Sequence, residues 1–348
     1  ANVMDYRYLG RTGVQVSPIG LGSDDFGDGT PPAIAKQIIL RALDAGINLI
    51  DTGNLYAGGQ SEKIIGETLK DAGRRHEVLI STKIDHAPRR IGVSLDHHAP
   101  DLPPNVQGNS RLNIIRACEL SLRDLKTDYI DLLQVHRYYP HYHIEETLGA
   151  LTDLVRQGKI RYAGCSTFPA WKLMHALMLS EMKQYVRLVN EESPYNLLDR
   201  RIENEVIPLA MEHGVGVLAW SPLAHGMLVG AYQRADQYPS GTRAGDRGAF
   251  YAGRITAEGI KIGKAFCNLA RSADMSPAQL AVLWCKDQPG ITASLVGVGS
   301  VEHLEDLIPV MDMRLNYSLR TACDGLVAPG THVANFLNTS GWMKTSAG

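Results

Sequence analysis

Four side chains able to move or steer a proton stand at or just beyond the ends of short β-branched runs. They are Asp51 and Tyr56 in IDTGNLY, Lys83 in ISTK and His136 in LLQVH. Brought together, they suit one task. A hydride delivered to a carbonyl carbon leaves an alkoxide, which needs a proton from a nearby acid. An unperturbed tyrosine, with a pKa of about 10, is a poor donor near neutrality. An ammonium beside the phenol favours the phenolate, and a carboxylate paired with that ammonium holds it in place. An imidazole close by can hydrogen-bond to the substrate oxygen and fix its orientation. Taken singly, each residue has a plainer reading: strand-end Asp and Lys form structural ion pairs, and a loop Tyr packs.

The elements that must position them are legible from periodicity. Short apolar runs at 17–23, 48–52, 77–84, 129–136, 161–167, 186–192, 214–221 and 293–299 alternate with helical stretches. That alternation predicts a parallel sheet with crossover helices, and eight strands are the count of a closed (β/α)8 TIM barrel. Pro18 makes the first run the weakest. Ile34, Ile38, Ala42 and Ala45 recur at helical spacing, with Gly46 placed to end the helix in a left-handed turn. Leu112 to Leu125 repeats the pattern behind a capping candidate, Ser110, and Ile144 to Val155 does so ahead of Gly158. Residues 6–9 and 14–16, joined around Gly10 to Gly13, predict a β-hairpin closing the barrel floor. Two segments, 86–109 and 233–254, fit neither pattern and predict long loops at the catalytic end. Barrel active sites form at the C-terminal ends of the strands, so the four residues can converge although far apart in sequence.

The bulk properties are those of an ordinary globular enzyme: 348 residues, 44% hydrophobic and 21% charged. A formal charge of −2 supplies no basic field for nucleic acid or for a membrane surface. No apolar run approaches the roughly 20 residues of a membrane span, and residues 1–10 lack the apolar core of a signal peptide. The five cysteines, Cys118, Cys165, Cys267, Cys285 and Cys323, are scattered without a CxxC. They predict reduced, buried thiols in a cytoplasmic protein, with neither disulfide nor zinc site. No linker divides the chain, so a single domain over 1–348 is expected.

Three stretches carry a resemblance. IDTGNLYAGGQSEKIIGETL sets Asp and Tyr five apart ahead of a Gly-x-Ser-Glu turn; DYIDLLQVHRYYPHYHIEETLGALTDLVRQGKIRYAGCST is a second stretch and LAWSPLAHGML a third. They resemble the signatures of the aldo-keto reductase family, and the resemblance runs from about Tyr8 to Leu315. It implies a catalytic tetrad of Asp51, Tyr56, Lys83 and His136, and an extended NAD(P)(H) across the barrel mouth. A Rossmann site is not indicated, since no GxGxxG follows a strand. Carried over by position, Ser23 and Asp51 face the cofactor, and Ser166 binds the carboxamide. Thr167 stands where Asn is common and Glu192 where Gln is usual; Trp220 takes the place of the ring that stacks on the nicotinamide. Ser221, Leu223 and Gly226 fall at the pyrophosphate, and Gly297, Gly299, His303 and Asp306 around the adenosine. The segment from Gly297 to His303 lacks the Lys or Arg that often grips the 2′-phosphate of NADP, which puts the usual NADP preference in doubt. Arg243 is the candidate substitute, against its plainer reading as a solvated loop arginine.

The resemblance implies a small carbonyl or alcohol as substrate. Asp24, Asp25 and Arg137, with Tyr56 and His136, line the expected substrate end, and polar groups there suit a sugar or glycoside. The alternatives are an NADPH-dependent aldehyde or ketone reductase with an apolar substrate, and a non-catalytic cofactor-binding regulatory subunit. Asp96, His97 and His98, and the HYH at 141–143, read as surface residues rather than a metal site. Barrels of this kind occur as monomers and as oligomers, and no surface pattern here chooses between them.

Overall fold

The computed structural model describes residues 4–84, 102–140, 142–247 and 249–337. Asp96, His97, His98, His141, most of the predicted 86–109 loop and the tail beyond 337 lie outside the described residues.

The chain opens on the expected hairpin, with β1 (Arg7–Tyr8) antiparallel to β2 (Gln15–Val16). Its turn presses against the barrel floor at Gly10, which has φ +54; a Cβ there would stand 2.5 Å from the Gly214 carbonyl oxygen. Only glycine tolerates both that conformation and that approach. Leu9 then packs with Leu49, Leu132, Leu218, Ala293 and Leu295, an apolar layer that plugs the barrel from below.

Eight strands follow: β3 (Ile19–Gly22), β4 (Leu49–Asp51), β5 (Leu79–Ile84), β6 (Ile130–Val135), β7 (Ile160–Ser166), β8 (Leu188–Pro194), β9 (Gly216–Trp220) and β10 (Ala293–Val296). They close into a parallel barrel, β10 pairing with both β3 and β9. This is the (β/α)8 TIM barrel that the alternating pattern predicts. The doubtful first strand forms because Pro18 lies just outside it, where its carbonyl accepts from Ser294 N at 3.0 Å. The strand expected at 186–192 runs two residues later at each end. Its ladder with β9 extends as far as Pro194 opposite Trp220, beyond the last β-branched residue.

The surrounding helices are α1 (Pro32–Asp44), α2 (Gln60–Ala72), α3 (Arg111–Asp124), α4 (Ile144–Arg156), α5 (Ala170–Lys183) and α6 (Val206–His213). Two short turns, α7 (Arg243–Arg247) and α8 (Ala249–Ala252), sit in the loop after β9. Then come α9 (Ala257–Ser272), α10 (Pro277–Lys286), α11 (Val301–Leu307) and α12 (Tyr317–Leu326). The capping expectations hold: Ser110 accepts from Asn113 N at 3.0 Å, and Gly46 and Gly158 take φ +94 and +75. The inner face of α1 buries Ile38, Ile39 and Ala42 completely. Truncating Ile38 to Ala would cost roughly 2–5 kcal/mol. Among the described residues, no helix is long and apolar enough to cross a membrane.

Candidate active site

The barrel brings the ends of β4, β5, β6, β7 and β9 to one mouth, and with them the predicted residues. Lys83, the penultimate residue of β5, is 1% exposed. Its Nζ donates to Asp51 Oδ2 and to the Thr52 carbonyl, each at 2.7 Å, and lies 3.1 Å from Glu192 Oε2. Burial works against the Lys83 charge, but Asp51, Glu192 and then Tyr56 outweigh it and hold its pKa well above the ordinary lysine value. The strand end carrying Asp51 is pinned by hydroxyls: Ser23 Oγ donates to the Asp51 carbonyl at 2.6 Å, Ser61 Oγ donates to Ser23 Oγ at 2.9 Å, and Thr52 Oγ1 lies 2.9 Å from Ser61 Oγ.

Tyr56 begins a tight turn, Tyr56–Gly59, in which Ala57, Gly58 and Gly59 all have positive φ. Gly53 lets the phenol swing over the strand end, since a Cβ there would meet Tyr56 Cε1 at 3.2 Å. The Tyr56 ring centroid is 4.9 Å from Lys83 Nζ and 6.2 Å from the His136 ring, edge on. All four expected catalytic side chains therefore meet. No hydrogen bond joins Tyr56 Oη to Lys83 or His136, however: Asp51, Thr52 and Glu192 occupy the three N–H bonds of the ammonium, and the His136 ring centroid stands 6.2 Å from that of Tyr56. Burial raises the phenol's pKa above its ordinary value, Lys83 pulls it down, and the carboxylates of Asp51 and Glu192 push it up again.

A cleft of about 640 Å³ runs from this cluster across the mouth. Its walls include Ser23, Asp24, Asp51, Tyr56, His136, Arg137, Ser166, Glu192 and Trp220, then Ser221, Leu223, His225, Gly226, Arg243 and Arg254 of the loop after β9, and Gly297, His303 and Asp306 from the segment after β10. The turn after β9 is strained, with positive φ at Ser221, Ala224, His225 and Gly226. Such strain is tolerated where it serves a site. His225 Nε2 lies 3.2 Å from Ser221 Oγ and 3.4 Å from Arg254 Nη1, and the Arg254 guanidinium covers the Trp220 ring at 5.3 Å. An indole face, a hydroxyl–imidazole–guanidinium group and a glycine edge are the chemistry that a dinucleotide requires, so the residues present fit that group.

Some expected residues have other duties. Arg243, Asp24 and Asp25 were expected at the 2′-phosphate and the substrate; here they pair with one another. Arg243 Nη1 lies 2.6 Å from Asp24 Oδ2, and Nη2 lies 3.4 Å from Asp25 Oδ2. Thr167 is absent from the cleft wall and accepts from Arg137 Nη1 at 2.8 Å; Gly299 also lies off the wall. The Asp306 carboxylate accepts from Ser276 Oγ at 2.7 Å. Sequence reasoning missed Arg254 and Phe336. Phe336 stacks edge-on to His225 at 4.9 Å, and its backbone N donates to the buried Asp199 at 2.8 Å. Asp199 was the available signal: a buried carboxylate must find donors, and the returning C-terminal segment supplies them.

A closed parallel barrel whose C-terminal mouth gathers a lysine-bound carboxylate, a phenol and an imidazole beside a dinucleotide-shaped cleft defines a class, the barrel oxidoreductases. The chain belongs to the aldo/keto reductase family, whose model matches residues 18–328. It is an oxidoreductase of a family that works with NAD(P)(H). It is 36% identical over 333 residues to the uncharacterized oxidoreductase YrpG of Bacillus subtilis (strain 168), covering 94% of this chain and 97% of that one. It is 33% identical to the aldo-keto reductase AMT2 of Alternaria alternata, over 89% of this chain and 88% of that one. A putative voltage-gated potassium channel subunit beta of Schizosaccharomyces pombe (strain 972 / ATCC 24843) is 31% identical, over 88% of each chain.

Proposed function

We propose that the chain, read as one barrel domain, interconverts a polar carbonyl compound and its alcohol, with Tyr56 as general acid and base and with NAD(H) as the preferred cofactor. The observation that carries the reading is the buried Lys83–Asp51 pair beneath the Tyr56 ring, with His136 across from it. The cofactor, when bound, supplies or accepts the hydride. The protein's own residues do the rest. Tyr56 Oη gives its proton to the nascent alkoxide, or takes it from the alcohol in the reverse direction. Lys83, its charge secured by Asp51, stabilises the phenolate. His136 orients the substrate oxygen.

Two observations support the finer points. Asp24, Asp28 and Asp246 place polar groups on a lining that is otherwise mostly apolar, and those groups would suit a hydroxylated substrate such as a sugar or glycoside. Arg243 is committed to Asp24 and Asp25, and the segment from Gly297 to His303 offers no lysine or arginine. A 2′-phosphate would find no uncommitted guanidinium among these groups. The channel-subunit relative favours a second reading, a cofactor-binding regulatory role, but the four acid–base residues argue for turnover. Titrating NAD+ and NADP+ separately, then assaying aldoses, polyols and apolar aldehydes, tests the proposal. Tighter NAD+ binding with turnover of the hydroxylated substrates is expected. Tight cofactor binding with no turnover of any substrate would favour the regulatory role.

A further inference from the structure

Among the buried acids that the proposed reaction leaves unused, Glu192 on β8 is the one that reaches Lys83. Lys83 Nζ has three N–H bonds, and three oxygens surround it: Asp51 Oδ2, the Thr52 carbonyl and Glu192 Oε2. One ammonium thus faces two carboxyl groups whose side chains are only 4% and 2% exposed. Glu192 Oε1 accepts from Gln134 Nε2 at 3.0 Å, a neutral donor that cannot balance charge. The other titratable groups around the cluster include the Tyr56 phenol from the turn after β4, His136 beyond β6 and the buried Glu62 of α2, which feels the Lys83 charge. Arg137 turns its guanidinium away, to Thr167. Two carboxyl groups so deeply buried against one cation cannot both ionise cheaply. A proton held by the pair removes that conflict of charge, and among the described residues Asp51 Oδ1 receives no hydrogen bond. Burial and the neighbouring Asp51 also push the Glu192 carboxyl well above the carboxylate range, against the pull of Lys83.

We propose that Asp51 and Glu192 share one proton over Lys83, released to solvent when the oxidised nicotinamide binds and retained when the reduced one does. This rests on the dinucleotide reading above. Glu192 lines the cleft together with Ser166, whose Oγ donates to the Glu192 carbonyl at 3.0 Å, and with Trp220 on the neighbouring strand. The oxidised ring brings a positive charge there and favours the ionised pair; the reduced ring is neutral and does not. Only an O–H bond of the carboxyl breaks, its proton passes to water, and no electrons change hands. Glutamine at the same position has the shape but no proton to release. Glu192 would thereby tie the cofactor's redox state to pH, acting as a positioning residue for charge.

The test is proton release, followed with an indicator dye in weak buffer, as NAD+ or NADH saturates the wild type and Glu192→Gln. The wild type should release up to about one proton with NAD+ and none with NADH, and its NAD+ affinity relative to NADH should rise about tenfold per pH unit below the pair's titration. Glu192→Gln should release none and show a flat ratio. Equal release and equal slopes in both proteins would overturn the inference while leaving the oxidoreductase reading intact. Failure of the wild type to bind either dinucleotide would overturn both. Infrared difference spectra of the wild type give a check that needs no variant: the C=O band of a protonated carboxyl should vanish on NAD+ binding, and a band that persists contradicts the proposal.

Discussion

Replacing Lys83 with methionine removes the ammonium and keeps most of the side-chain volume. In the wild type that ammonium lies 2.7 Å from Asp51 and 3.1 Å from Glu192, all three side chains being deeply buried. Leaving both carboxyls ionised without it would cost about 3–5 kcal/mol, the penalty of a broken buried pair. The folded variant escapes by protonating both carboxyls, so it holds about one proton more than the folded wild type. Its carboxyl pKa values then lie above the unfolded values near 4. Stability gained that way is fully present below the unfolded pKa and is lost as pH rises toward the folded one, at about 1.4 kcal/mol per pH unit. From pH 5 to pH 8, the destabilisation by Lys83→Met should therefore grow by up to about 4 kcal/mol. Urea unfolding of both proteins at the two pH values measures it. The same destabilisation at pH 5 and pH 8 would refute the reasoning, because it would mean that the two carboxyls do not depend on this cation.

Three further outcomes follow from other parts of the molecule. Glu62 is buried and accepts from Thr82 Oγ1 at 2.9 Å, and burial pushes its carboxyl up to about 7. Its folded pKa exceeds the unfolded one, so the wild type loses roughly 2–3 kcal/mol between about pH 4.5 and 7, and Glu62→Gln should flatten that slope in thermal unfolding. Breaking the Arg243 contacts to Asp24 and Asp25 with Arg243→Ala should speed cofactor release up to about tenfold in stopped-flow fluorescence, the worth of a partly exposed charge-assisted pair. An unchanged off-rate would mean that the contact does not restrain the mouth. Trp220→Ala should weaken cofactor binding by about 1–2 kcal/mol, measured by calorimetry, through loss of the stacking face.

The barrel was legible because each strand pairs a β-branched run with a helix whose apolar stripe keeps period: Ile38, Ile39 and Ala42 are buried as their spacing requires. Asp51, Lys83 and His136 were legible because strand ends in such a barrel point to one face. What the sequence could not give was the partner of each charge. Arg243 and Asp24 are 219 residues apart, and nothing local says that their charges meet. Glu192 lines the cleft, and its carboxyl also reaches Lys83 and Gln134, a pairing hidden in the sequence; strand alternation turns it inward while Glu191 faces outward to Phe168 N. The left-handed turn at Ala224 and His225 was equally hidden, since non-glycine residues seldom adopt it.

The central claim is that the phenol of Tyr56 carries the proton of the reaction. Tyr56→Phe deletes one oxygen that makes no hydrogen bond to Lys83 or His136, so the fold and the cofactor affinity should change little. Steady-state turnover should fall by about 10²-fold or more while the dissociation constant for NAD(H) stays within about twofold. Turnover at the wild-type rate with Phe at position 56 would contradict the account.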